Sequence, residues 1–168
     1  MKAEHQIACR KILLVEDDPR DVELTLAALA EHHLANEVTV APDGAAALDY
    51  LFQRGQHLGR AGGHPVAVLL DLKMPRVGGL EVLRVVKADA ALKTIPIIML
   101  TSSREEPDLR QCYALGVNAY VVKPVDFLEF MHAIKGLGIF WLAINEPPPV
   151  VAWSLDGSVG ARETGAAS

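Results

Sequence analysis

Residues 66–79 read VAVLLDLKMPRVGG: five apolar residues, then Asp71, then a loop that ends in two glycines. An unbroken apolar run of this length predicts a strand that is buried on both faces, as in a parallel sheet covered by helices. Residues 79–88, which follow, have the apolar spacing of a helix. The stretch therefore predicts a strand, a loop and a helix, with a carboxylate at the point where the strand ends.

Strand and helix alternate in this way along most of the chain. Strands are predicted at 12–15, 37–40, 66–70, 95–100 and 119–122, and helices at 20–32, 43–52, 79–88, 106–115 and from 126 onward. Asp43, and Asp18 followed by Pro19, have the residue types of helix N-caps. Strands that alternate with helices through right-handed crossovers predict an α/β fold, a doubly wound parallel sheet with helices on both faces.

Composition narrows the class of protein. The chain has 168 residues and a net charge of −5, without a block of Lys and Arg. This predicts one domain and argues against nucleic-acid binding, which would need a basic face. The apolar runs of the predicted strands are too short to cross a bilayer, and the N-terminus lacks the apolar core of a signal peptide. A cytoplasmic protein without a membrane partner is expected, with Cys9 and Cys112 as reduced thiols.

Four polar clusters each follow a different predicted strand: Glu16-Asp17-Asp18, Asp71, Thr101-Ser102 and Lys123-Pro124. Ligands bind at the carboxyl ends of the strands in such sheets, so the clusters are expected to meet at one edge. Converging carboxylates repel one another and favour a hard cation such as Mg²⁺. A carboxylate, a metal ion, a lysine and a hydroxyl are the groups that phosphoryl transfer uses, and the carboxylate can itself be the nucleophile. Taken alone, Glu16-Asp17-Asp18 is equally compatible with a helix cap or a turn.

At these positions the chain resembles the receiver domains of two-component response regulators. The resemblance spans about 11–135 and rests on the motifs LLVEDDP (13–19), LLDLKMPRVGG (69–79), IIMLTSS (97–103) and YVVKP (120–124). It is closer to the single-domain regulators that pair with phytochrome kinases, because of the loop 53–65, TSSREE (101–106), GVNAYVVKPVDF (116–127) and FWLAINEPPP (140–149). The resemblance implies a flavodoxin-like five-stranded sheet of order 2-1-3-4-5. It also implies a signalling switch that takes its phosphoryl group from a partner histidine kinase.

The resemblance implies a phosphoacceptor and a set of metal ligands. Asp71 would accept the phosphoryl group. Asp17 would bind Mg²⁺ directly, while Glu16 would act largely through water. The backbone carbonyl of Lys73 would complete the ligands that the protein provides.

A further group of residues is implied as the switch. Thr101 would be the switch hydroxyl, Lys123 would contact the phosphoryl group, and Tyr120 would be the aromatic whose rotamer follows. Physical reasoning agrees, because a phosphoryl group on Asp71 adds charge and acceptor oxygens beside Thr101 and Lys123. Tyr120 could then fill the space that Thr101 vacates, although a packed surface aromatic is an alternative for it. The Lys123–Pro124 bond is expected to be cis, which for an X-Pro bond costs only about 0.5–1 kcal/mol.

The residues that follow the predicted receiver are expected to form a dimerisation arm. Three segments are predicted: a leader at 1–10, the receiver domain at 11–138 and a C-terminal extension at 139–168. Gly136 and Gly138 favour a break in the last helix, and the apolar residues 139–144 cannot all face the core of one domain. An exposed apolar arm predicts a homodimer in which a second copy covers it. The alternative is that the arm folds back on its own last helix.

Two other functions use a similar fold. A metal-dependent phosphatase that turns over through an aspartyl phosphate would need a general acid two residues after the nucleophile, where this chain has Lys73. A flavodoxin-like cofactor binder would need a Ser-, Thr- or Gly-rich phosphate loop after the first strand, where Glu16-Asp17-Asp18 would repel a phosphate. The P-loop and G-x-G-x-x-G patterns are absent from the sequence. A receiver whose only chemistry is its own phosphorylation and dephosphorylation is therefore favoured over an enzyme.

Overall fold

The computed structural model describes residues 10–31, 33 and 38–148. Predictions for Cys9 and the rest of the leader, for the first residue of the second strand, and for the arm from 149 onward lie outside the described residues. Most of the predicted receiver and the first part of the predicted extension are described.

Five parallel strands form one sheet of order β2-β1-β3-β4-β5, as predicted. They are β1 (Ile12–Val15), β2 (Val38–Ala41), β3 (Ala67–Leu70), β4 (Ile97–Thr101) and β5 (Ala119–Val122). Every residue of β1, β3 and β4 is buried, whereas the outer strands β2 and β5 are mostly half-buried. Burial on both faces explains why the central strands are unbroken apolar runs.

Helices cover both faces of the sheet. They are α1 (Pro19–Ala30), α2 (Gly44–Leu51), α3 (Gly79–Ala88), α4 (Glu106–Ala114) and α5 (Phe127–Ile139), and a short 3₁₀ turn, Gly55–His57, lies in the long loop. The two predicted caps are present: the Asp18 carboxylate accepts from the amide of Arg20, and that of Asp43 from the amide of Ala46, both at 2.8 Å. These caps start α1 and α2 close to the predicted positions.

Alternate residues of each strand pack on opposite faces of the sheet. On one face, strand residues meet α2, α3 and α4, through Leu13, Val15, Val68, Leu70, Ile97 and Met99 with Ala47, Leu51, Val82, Leu83 and Cys112. On the other face they meet α1, α5 and the chain after α5, through Ile12, Leu14, Leu69, Ile98 and Leu100 with Leu29, Phe130, Ile134 and Leu142. Cys112 is a free thiol, and burial raises its pKa to about 11, so it stays protonated at neutral pH.

The predicted break at the two glycines is wrong. Helix α5 runs through Gly136 and Gly138 to Ile139, and a π-helical turn, Phe140–Ile144, continues it. A glycine inside a helix costs only about 1 kcal/mol relative to alanine, and the burial of Ile134 and Leu142 on either side offsets that cost. The helix therefore crosses the predicted boundary at 138, and the division into receiver and extension stays a prediction.

Arg10 holds the end of this helical segment. Its Nη1 donates to the carbonyl of Leu142 at 3.2 Å and to that of Asn145 at 3.4 Å, and its Nη2 lies 3.4 Å from a carboxylate oxygen of Glu146. The last carbonyls of a helix lack partners within the helix, and an arginine satisfies them with favourable charge. Arg10, two residues before β1, thus holds the residues that follow α5.

Phe127–Ile144 is, by length and composition alone, long and apolar enough to cross a membrane, with a mean hydropathy of 1.5. The expectation that every apolar run is too short for this overlooked a helix in which isolated polar residues interrupt the run. Only 22% of the segment is buried, although Phe130, Ile134 and Leu142 pack against the sheet as in a core helix. Its outer side is therefore largely apolar and open.

Candidate functional site

The carboxyl ends of the strands bring the predicted polar residues to one edge of the sheet. Glu16 and Asp17 follow β1, Asp71 follows β3, and Thr101 ends β4. Backbone hydrogen bonds extend the sheet past the strand ends: the amide of Asp71 donates to the carbonyl of Val15 at 3.0 Å, and that of Lys123 to the carbonyl of Thr101 at 2.8 Å. These bonds fix the backbone positions of Asp71 and Lys123 at the edge of the sheet.

Glu16, Asp17 and Asp71 form a cluster of three carboxylates. One oxygen from each lies within 4.8 Å of the others. Glu16 is buried, Asp17 is exposed, and the side chain of Asp71 is 11% exposed. Burial raises the pKa of Glu16 and that of Asp71, and for Asp71 the charge of Asp17 adds to this effect. The negative charges of the three carboxylates are therefore incompletely compensated, and a cation would stabilise them.

Lys123 supplies one positive charge to the site. Its ammonium is closer to two other carboxylates than to Asp71. Its Nζ lies 2.6 Å from Oε2 of Glu16 and 2.7 Å from Oδ2 of Asp21, but 3.9 Å from Oδ1 of Asp71. Burial disfavours the charged ammonium, yet the hydrogen bonds to Asp21 and Glu16 outweigh it, so the pKa of Lys123 lies above its ordinary value. Lys123 is thus protonated and held by two carboxylates.

Asp21 is the residue of this site that sequence reasoning missed. It lies in the first turn of α1, where an acidic residue is favourable for the helix dipole and attracts no further interest. No motif separates it from other surface carboxylates. Only the folded chain shows that it faces the lysine that follows β5.

Thr101 begins a chain of hydrogen bonds that leads to the surface. The buried hydroxyl of Thr101 accepts from the amide of Ser103 at 3.2 Å. The carbonyl of Ser103 accepts from the hydroxyl of Tyr120 at 3.1 Å. The hydroxyl of Ser103 donates to Asp108 of α4 at 2.6 Å. Tyr120 is half-buried against the core. Thr101 and Tyr120 are therefore connected through one residue, Ser103.

Lys73 reaches α4 from the loop after β3. Its Nζ lies 3.6 Å from Glu105 and 3.5 Å from Asp108, and these two carboxylates raise its pKa. The side chain is 58% exposed, so screening by water keeps these ion pairs weak. The side chain of Lys73 thus links the loop after β3 to the start of α4. The backbone carbonyl of the same residue is the predicted metal ligand.

The expected cis peptide bond is not found. No peptide bond is cis among the residues that the structure describes, so the Lys123–Pro124 bond is trans and the prediction is wrong. The two forms of an X-Pro bond differ by only about 0.5–1 kcal/mol, so local packing decides between them, and that packing cannot be read from a motif.

The response regulator receiver domain family matches residues 12–135. This is most of the chain and includes all five strands, and the chain belongs to this family. Response regulators signal through phosphorylation, and the arrangement of carboxylates, lysine and hydroxyl at one sheet edge is consistent with that chemistry.

Three relatives of known structure are similar over most of their length. Response regulator Rcp1 of Synechocystis is 36% identical over 78% of this chain and 88% of its own, and its Mn²⁺-bound structure gives a TM-score of 0.76. The phosphorylated cyanobacterial phytochrome response regulator RcpA is 37% identical, with a TM-score of 0.77 over 83% of this chain and 99% of RcpA. The bacteriophytochrome response regulator AtBRR is 61% identical, with a TM-score of 0.65 over 82% of this chain and 98% of AtBRR.

Proposed function

We propose that Asp71 accepts the phosphoryl group of a partner histidine kinase and that the chain signals through the resulting change at Thr101, Tyr120 and α4. One observation carries this proposal: Asp71 is the central group of the site, almost buried, with two carboxylates, a hydroxyl and an ammonium around it. An oxygen of Asp71 would attack phosphorus while the bond from phosphorus to the kinase imidazole breaks. The imidazole leaves and takes a proton, and an acyl phosphate forms.

Lys123 and Thr101 would stabilise the charge that this reaction brings. The ammonium of Lys123 is already 3.9 Å from Asp71. The Thr101 hydroxyl accepts from the amide of Ser103 and faces Asp71, so its own hydrogen could be donated to a phosphoryl oxygen carried there. A shift of Thr101 would move Ser103, and Ser103 holds both Tyr120 and Asp108. The surface formed by β5 and α4 would then change, which is the signal.

Mg²⁺ is the cofactor that we propose for this site. Three clustered carboxylates, two of them with a raised pKa, form the hard and anionic donor set that a divalent cation prefers. Asp17 and Asp71 would bind the ion with the backbone carbonyl of Lys73, and Glu16 would hold it largely through water. When bound, the ion would neutralise charge on the phosphoryl oxygens. The Mn²⁺-bound structure of Rcp1 supports a divalent cation in this family.

Asp17→Asn tests the metal proposal. We expect Mg²⁺ affinity to fall at least about tenfold, because an amide replaces a charged ligand. Without metal, the variant should be as stable as the parent or more stable, since one repulsive carboxylate is lost. Isothermal titration with Mg²⁺ and thermal unfolding measure the two effects. Asp18→Asn is the matched control, since asparagine caps a helix as well as aspartate does. Unchanged Mg²⁺ binding in Asp17→Asn would exclude Asp17 as a ligand.

The side chain of Lys73 argues against the phosphatase alternative. The neighbouring carboxylates raise its pKa, and its Nζ is directed towards α4, so it is poorly suited to give a proton to a leaving group. We propose that the chain catalyses no reaction other than its own phosphorylation and hydrolysis. Incubation with acetyl phosphate and Mg²⁺ should leave one slowly decaying phosphoryl group per chain. Rapid turnover would indicate a phosphatase. An absence of labelling and of turnover would contradict both the receiver and the phosphatase.

A phytochrome-type histidine kinase in the cytoplasm is the partner that we propose. Two relatives, RcpA and AtBRR, support this, since their names tie them to phytochromes. The acidic balance of the chain supports a protein partner over nucleic acid. The open apolar side of the last helix is assigned to a second copy of the chain, not to a membrane, because its inner side packs on the sheet.

We propose a homodimer built on the extension, 139–168. Phe140 and Ile144 are exposed at 44% and 64%, which leaves apolar area open at the end of the last helical segment. Leu142 packs on the chain's own core, so this part of the extension is covered within one chain. A second copy would cover the rest, and two-fold symmetry lets the same patch serve both chains.

The double variant Phe140→Ser, Ile144→Ser tests the homodimer. We expect the full chain to sediment as a dimer at tens of micromolar and the double variant as a monomer, because the open apolar area is removed while Leu142 stays in place. Leu58→Ser is the control, since Leu58 is 81% exposed in the loop before β3, outside the extension, and should leave the dimer intact. Sedimentation equilibrium decides. A monomeric full chain, whether phosphorylated or not, would refute the dimer.

A further inference from the structure

We propose that Asp21 is a positioning residue for phosphorylation: a counter-ion that holds the Lys123 ammonium away from Asp71 until a phosphoryl group arrives. The inference rests on the proposed role of Asp71 and adds a residue that no receiver motif assigns. It starts from the distances around one buried cation.

Lys123 is the cation in question, and its side chain is only 11% exposed. A charge so little hydrated needs partners that compensate it. Its Nζ meets Asp21 at 2.7 Å and Glu16 at 2.6 Å, both within hydrogen-bonding distance, whereas Asp71 lies at 3.9 Å. Asp21 and Glu16 therefore hold the ammonium, and the proposed phosphoacceptor does not.

Among the described residues, the side chain of Asp21 makes no hydrogen bond or ion pair other than the one to Lys123. The N-cap of α1 is Asp18, so Asp21 does not cap the helix. It also stands apart from the three carboxylates that cluster as metal ligands. Its side chain is 32% exposed, so water could hydrate it without Lys123. Its hydrogen bond to Lys123 is therefore the interaction that distinguishes it.

A cavity borders the ion pair on its Asp21 side. It has a volume of about 190 Å³ and is lined by Asp21 and Lys123, together with residues of α1, of the turn after β5 and of α5. The pair therefore lies at the margin of the packed core, where the two side chains have room to separate. Nζ of Lys123 is 3.9 Å from Oδ1 of Asp71, only about one ångström beyond hydrogen-bonding distance.

Asp21 and a phosphoryl group compete for the same cation. An incoming donor is anionic, and it meets four carboxylates, Glu16, Asp17, Asp21 and Asp71, with one lysine among them. Removal of the charge on Asp21 would take away one repulsive group and free Lys123 to turn. We expect Asp21→Asn to be labelled by acetyl phosphate about two to five times faster, the range that a partly exposed ion pair supports.

The experiment compares four chains at one Mg²⁺ concentration: the parent, Asp21→Asn, Asp21→Glu and Glu23→Gln. Initial labelling rates with acetyl phosphate and affinity for beryllofluoride, a phosphoryl mimic, are measured for each. Asp21→Glu keeps the charge and should stay near the parent. Glu23→Gln removes an exposed charge from the same helix, and it too should behave as the parent does. Neither readout would rise if Asp21 served the fold alone.

The outcomes separate this inference from the proposed function. A faster rate and tighter beryllofluoride binding in Asp21→Asn alone would support it. Labelling of the parent with an equal or slower rate in Asp21→Asn would overturn the inference and leave the role of Asp71 intact. An equal gain in Glu23→Gln would also overturn it, since net charge would then suffice. An unlabelled parent would overturn both.

Discussion

Chains that carry Asp71→Asn are expected to take up no phosphoryl group from acetyl phosphate, a complete loss of labelling. The amide is close in shape to the carboxylate but lacks the anionic oxygen that attacks phosphorus. Burial already raises the pKa of Asp71, so a neutral side chain should be tolerated there. The variant should therefore unfold at the same temperature as the parent, or higher. Intact-mass spectrometry measures the label, and thermal unfolding measures the stability.

The control for this variant is Asp18→Asn, which changes a neighbouring carboxylate that caps α1 and pairs with Arg20 but lies outside the cluster of three. It should be labelled as the parent is. A phosphoryl group that persists elsewhere in Asp71→Asn would contradict the assignment of Asp71. Loss of labelling in both variants would point to a general effect of charge at this edge of the sheet.

Gly79→Ala is expected to lower the free energy of unfolding by about 3 kcal/mol or more. A Cβ on Gly79 would lie 2.1 Å from the carbonyl oxygen of Asp71 and 2.9 Å from Cα of Leu72, and both atoms belong to the backbone. Such atoms cannot rotate away, so α3 or the phosphoacceptor loop must shift, at the cost of an overpacked core. Since the loop carries Asp71, labelling by acetyl phosphate should fall as well. Urea unfolding gives the first quantity.

Gly136→Ala is the matched control, because a Cβ there meets nothing within 4 Å. Alanine inside a helix should stabilise the chain by about 0.5–1 kcal/mol. The same substitution is thus expected to have opposite signs at the two sites. An unchanged urea midpoint in Gly79→Ala would show that α3 does not press against the backbone of Asp71 as closely as described.

Local pattern was enough to predict the central architecture. The bounds predicted for α3 and β5 agree with the structure, and β2 ends one residue later than predicted. Unbroken apolar strands can only be buried on both faces, so the sheet and its covering helices follow. The position of Asp71 follows from the same rule, since a polar residue that ends such a strand must lie at the carboxyl edge.

Contacts between distant segments could not be predicted. Asp21 meets Lys123 across 102 positions of sequence, and no spacing indicates such a pair. Helix α5 continues through Gly136 and Gly138 because tertiary packing outweighs local helix propensity. The Lys123–Pro124 bond is trans because packing decides a small energy difference. In each case the deciding free energy comes from a partner that is remote in the sequence.

Arg10 contacts the chain after α5 at the end of the molecule opposite the one that carries Asp71. The helix leaves the edge that carries Asp71 and, over residues 127–144, covers roughly 25 Å before it reaches Arg10. In the proposed assembly a kinase would approach one pole and a second copy would cover Phe140 and Ile144 at the other, so neither would need to displace the other. The described chain also enters and leaves at the pole opposite Asp71. A fluorophore or affinity tag attached there would report on assembly without obstructing phosphorylation.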